Sequence, residues 1–82
     1  MIIEFSEGEN ISVRVQGSLV WVLGKVVSKS LDGSSIVILL SEPVRYNGLM
    51  IAGAVPVTID RENGTLVSVG MRLDVKKDDE HA

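Results

Sequence analysis

The sequence predicts an all-β fold, a small antiparallel barrel or rolled sheet with little or no helix. Three observations carry that expectation. β-Branched residues recur along the whole chain, and their stiff χ1 suits a pleated sheet better than a helix. Glycine-containing turns cut nearly all of the sequence into strand-length pieces, the spacing of a sandwich or barrel. No extended stretch repeats its apolar positions with a helical period.

Taken in chain order, Ile2 to Phe5 reads as a first short strand, and Ser6-Glu7-Gly8-Glu9 as a polar loop. Asn10 to Val15 alternates cleanly: Ile11, Val13 and Val15 share one face, and Ser12 and Arg14 the other. That pattern belongs to a strand with one wet side. Gln16-Gly17 is short enough for a two-residue hairpin turn. Ser18 to Lys29 is long for one strand, and Gly24 near its middle predicts a bulge or bend of the kind that curls a sheet. Leu31-Asp32-Gly33-Ser34 closes the next hairpin, and Ser35 to Ser41 forms the strand beside it.

Pro43 ends that strand because it has no N–H for a ladder. Asn47-Gly48, between Val44-Arg45-Tyr46 and Leu49-Met50-Ile51, is the strongest local hairpin signal in the chain. Ala54 to Asp60 contains Pro56, which predicts a sheet edge or an irregular stretch open to a further strand. Asn63-Gly64 leads into Thr65 to Val75, interrupted by Gly70. Residues 1–75 thus read as a single β domain, and the charged segment 76–82 as a disordered tail with no large apolar anchor.

The run from Gly8 through Leu40 resembles the core of Src-homology-three-type small barrels, including those built around the ribosomal KOW element. The likeness rests on Gly8, Val13, Val15, Gly24, Val26, Val27 and Gly33 and covers under half of the chain. It implies a small barrel. It implies no particular partner.

Composition narrows the functional classes. The chain has 82 residues, no cysteine and a net charge of −3, so neither a disulfide nor a thiolate metal site is expected. An acidic balance argues against a general nucleic-acid binder, which needs surplus Lys and Arg on one surface. Arg14, Lys25 and Lys29 on adjacent strands make the alternative of a weak nucleic-acid-binding barrel. The N-terminus shows no basic region followed by an apolar segment, and Leu49 to Ile59 is too short and too interrupted to span a bilayer. A cytoplasmic protein with no membrane contact is therefore expected.

Reactive chemistry is sparse. The one histidine, His81, is next to the last residue, and the serines lie in no nucleophile-elbow pattern. Glu7 and Glu9, and the cluster Asp78-Asp79-Glu80, lack the spacing of a calcium loop. Scattered single glycines fit turns rather than a phosphate-binding loop. No enzyme, no cofactor and no metal site are expected.

What remains is association. Leu19 to Leu23 and Ile36 to Leu40 are apolar at every position, and a strand apolar on both faces needs cover on both. A chain of this length builds one core, so the second face is expected to meet a copy of the same protein or a different partner. Trp21 shares a face with Leu19 and Leu23, and large aromatics dominate small cores. Setting that face inward leaves Val20 and Val22, with Val37, Leu39 and Met50, as the expected interface. Arg45, Tyr46 and Arg61, at hairpin tips, are the expected contacts if the partner is a larger protein or a nucleoprotein. One strand alone does not decide which face looks inward, and a closed barrel shares this pattern with an open, strand-exchanged sheet.

Overall fold

A computed structural model of the chain describes residues 4–68 and 70–77. These residues form eight strands: β1 (Asn10–Val15), β2 (Val22–Lys29), β3 (Ser35–Leu40), β4 (Val44–Tyr46), β5 (Leu49–Ile51), β6 (Ala54–Asp60), β7 (Thr65–Ser68) and β8 (Met71–Lys77). Six of them close into an antiparallel barrel in the order β1-β2-β3-β6-β7-β8, with β8 returning to pair with β1. β4 and β5 make a separate two-stranded ribbon inserted between β3 and β6. No helix occurs among the described residues. The fold is a small closed β-barrel.

The alternation of β1 sets the inside of the barrel. Ile11 and Val13 are fully buried, and Val15 nearly so. Ile36 and Ile38 of β3, Leu66 of β7 and Leu73 of β8 meet them in one continuous core. Closure depends on residues far apart in the chain, such as Val13 opposite Val75 and Val15 opposite Leu73.

The irregularity of β2 lies at Val27, three residues beyond the expected glycine. The register against β3 slips between Val26 and Ser28, where one extra residue bulges, increasing the local twist that rolls a sheet into a barrel. Gly24 has a different role. A Cβ built there would lie 3.3 Å from the Leu39 carbonyl oxygen and 3.6 Å from Leu40 Cδ2, so the missing side chain lets β2 and β3 approach closely.

Several boundaries differ from the expectation. Ile2 and Ile3 lie outside the described residues, while Glu4 and Phe5 are not in a strand. Phe5 is nevertheless buried in the core, and its carbonyl accepts a bond from Lys29 Nζ at 3.1 Å. Gln16-Gly17 does not join two strands directly: residues 16–21 form a loop, and β2 starts only at Val22. Thr65 to Val75 is two strands folded at Gly70, whose φ of 77° is one that glycine adopts without strain.

Pro56 is not at an edge. It sits within β6 opposite Val37 of β3. The flanking backbone bonds, Leu40 N to Gly53 O and Ile59 N to Ser34 O, place the hydrogen-bonded pairs at even β3 positions. The Pro56 nitrogen therefore points away from β3. Its missing donor costs no bond to β3, and β6 also pairs with β7 from Thr58 to Asp60.

The domain also extends past residue 75. Lys76 and Lys77 belong to β8 and pair with Ser12 and Ile11. Lys77 makes a salt bridge with Glu9 at 3.1 Å, donates to the Glu4 carbonyl and lies over the Phe5 ring. Residues 78–82, with Asp78, Asp79, Glu80 and His81, lie outside the described residues.

Candidate association surface

β3 divides its side chains as the apolar run predicts. Ile36, Ile38 and Leu40 enter the core, while Val37 and Leu39 face outward, with Leu39 47% exposed. Beside it on β2, Leu23 is 55% exposed. The register sets Lys25 opposite Leu39 and Gly24 opposite Leu40, so Leu23 and Leu39 are diagonal neighbours on the outer wall, a relation within reach of long side chains. Together with Asn10, Gly24, Lys25 and Leu40 they line a shallow, open depression.

The first apolar run is arranged opposite to the expectation. Val22 is 4% exposed and belongs to the core, not to an interface. Val20 lies in the loop before β2, and it and Leu19 are both largely exposed. The faces are reversed because the pairing of Val13 with Val22 and of Ser12 with Leu23 matches the inward residues of β1 to Val22 and the outward ones to Leu23.

Trp21 consequently lies on the outside. Its ring is approached by two cations, the Arg14 guanidinium at 4.5 Å and Lys76 Nζ at 4.4 Å from the ring centroid. Arg14 is fixed in turn by Asp74, with Nε donating to Oδ2 at 3.0 Å. Cation–π attraction to both groups offsets part of the cost of leaving the ring outside.

The same contacts bear on the basic residues. Arg14 is engaged by Asp74 and Trp21, Lys29 by the Phe5 carbonyl, and Lys25 lies across from Leu39.

Arg45, Tyr46 and Arg61 do not share a surface. The β4–β5 ribbon leaves the barrel at the Leu40 end of β3, whereas Arg61 is at the Ser35 end, its Nη2 donating to the Gly33 carbonyl at 2.8 Å. Arg61 closes a polar cleft of about 190 Å³ together with Phe5, Lys29, Asp32 and Ile59. In the ribbon, Val44 and Ile51 are buried, Arg45 is exposed, and Tyr46, Leu49 and Met50 are each about half exposed. Pro43, Val44 and Arg45 at its base line a hollow with Val20 and Val22, bringing the 16–21 loop beside the ribbon.

Two aspartates organise the turns at the Arg61 end. Asp32 is held at a pKa of about 2 by the Ser34 backbone N–H first, then by the Ser30 and Ser34 hydroxyls. Asp60 is likewise lowered to about 2, by the Asn63 side chain first and then Arg72. The Asp32 carboxylate is committed to its own loop, and that of Asp60 to its loop and to Arg72 of β8. Among the described residues no group of three or more His, Cys, Asp or Glu is placed to hold a metal, and no helix is long and apolar enough to cross a membrane.

Comparison with known protein families, with curated proteins and with solved structures finds no match to this chain. Its class is therefore defined by its own geometry, a small closed all-β barrel with an exposed two-stranded ribbon.

Proposed function

We propose that this protein is a non-catalytic small β-barrel that works by protein association, forming a homo-oligomer in the cytoplasm. The observation that carries this reading is the placement of Leu23, Leu39, Tyr46, Leu49 and Met50. All are exposed large apolar residues on regular strands, while the single core is already closed beneath them. Isolated exposed apolar residues are ordinary, but groups of them mark contact surfaces. A second copy supplies the cover that a chain of this size lacks.

The native mass, measured by light scattering during size-exclusion chromatography, tests this. A multiple of the 8.8 kDa chain supports it. A monomer at every concentration contradicts it.

A further inference from the structure

β4 and β5 form a sheet outside the closed barrel, so their outer edges are the ones that barrel closure leaves unpaired. Among the described residues, no backbone hydrogen bond beyond the β4–β5 ladder involves residues 44–51. A two-stranded ribbon this short is marginal alone, and its edges offer unpaired N–H and C=O groups to another strand.

The turn fixes which groups point outward. Asn47 and Gly48 both have positive φ, 50° and 78°, the mark of a type I′ turn. Tyr46 and Leu49, which flank it, then form a hydrogen-bonded pair. Alternation makes Arg45 and Met50 a non-hydrogen-bonded one. The Met50 N–H and C=O therefore face away from β4, at the centre of the outer edge of β5. Met50 is 54% exposed.

The two edges are not equivalent. β4 is preceded by Glu42 and Pro43, carries Arg45 and lies against β1. Charge and proline are the usual protections of an edge. β5 has neither, and Gly48 and Ala52 flank it.

We propose that the outer edge of β5 is the seam between two copies of this chain, paired antiparallel about Met50 so that their ribbons join into one four-stranded sheet. The proposal rests on the self-association proposed above and supplies its geometry. It sets Met50 opposite its counterpart and Leu49 opposite Ile51 of the second copy, an apolar and charge-free match about a two-fold axis. Pairing through β4 would instead set Arg45 opposite Arg45, and like charges directly opposite are destabilising. A stable interface buries about 800 Å² per partner, roughly a sixth of the 5063 Å² surface. Three-residue strands reach that only with the neighbouring side chains, so the dimer dissociates on dilution.

The test compares the mass of the full chain over a dilution series with those of Met50→Lys, Met50→Pro and Leu31→Lys, the last in the exposed turn at the Ser35 end of β3. Trp21 fluorescence reports whether the barrel is folded. Met50→Pro removes the outward N–H without breaking a β4–β5 bond, and by symmetry both seam bonds are lost. Both Met50 variants are expected to weaken dimerisation by about tenfold or more, and Leu31→Lys to leave it unchanged. In the unaltered chain, exchange of the Met50 amide should slow as concentration rises, a readout independent of any variant. A dimer unaffected by both Met50 variants, with Met50 exchange independent of concentration, overturns the seam and keeps self-association. A monomer throughout overturns both and leaves β5 to a strand of another protein.

Discussion

Val13 of β1 pairs with Val22 of β2, and both side chains are buried inside the barrel. This one register assignment decides the outer surface. It turns Leu23 outward and keeps Trp21 outside under its two cations.

Val20 and Val22 should accordingly respond very differently to charge. Val22→Lys places an unpaired ammonium in the core and is expected to cost about 3–5 kcal/mol, enough to unfold a small domain. Val20→Lys, in an exposed loop, should stay within about 0.5 kcal/mol of the parent chain. Urea denaturation measures both.

Trp21→Ala should behave as a surface truncation. A buried Trp→Ala change costs about 3–5 kcal/mol, whereas the loss here is the cation–π contacts and partial burial, about 1–2 kcal/mol. Arg14→Gln should remove part of that without exposing the core. A double-mutant cycle on the pair reads their coupling directly.

Residues of the two apolar runs show what the sequence makes legible. β3 alternates over its whole length, so Val37 and Leu39 are placed outward correctly from parity once either face is known. The run at 19–23 offers no polar residue to mark a side. Its orientation comes from pairing with β1 across the 16–21 loop, and its first three residues are not in a strand. The type I′ turn at Asn47-Gly48 is local chemistry and is visible in the sequence. Closure of β8 onto β1 joins residues some sixty positions apart, as in the Arg14–Asp74 pair, and no local pattern announces it. For the same reason Pro56, read locally as an edge residue, lies in a strand paired on both sides, and Lys76 and Lys77, read as tail, complete the barrel.

Acid should weaken the turns at the Arg61 end. Asp60 has a folded pKa of about 2 against 3.8 when unperturbed, so the unfolded chain takes up the proton more readily. The stability this group contributes is complete above about 3.8 and is lost as pH falls toward about 2. Asp32 acts in the same direction. In thermal melts at stepped pH, Asp60→Asn should flatten the fall in Tm over that window, and an unchanged slope would assign the acid sensitivity elsewhere.

Gly48→Val probes the ribbon separately from the barrel. A β-branched residue at φ 78° is strained, costing about 1–2 kcal/mol, and a ribbon of two three-residue strands is marginal to begin with. Amide exchange should quicken at β4 and β5, with protection in β1, β3 and β8 retained.

The central claim is that the exposed apolar residues are covered by a second copy, and the native mass across a dilution series tests it most directly. The account predicts a species at a multiple of 8.8 kDa that gives way to the single chain on dilution. A mass of one chain at every concentration would contradict it.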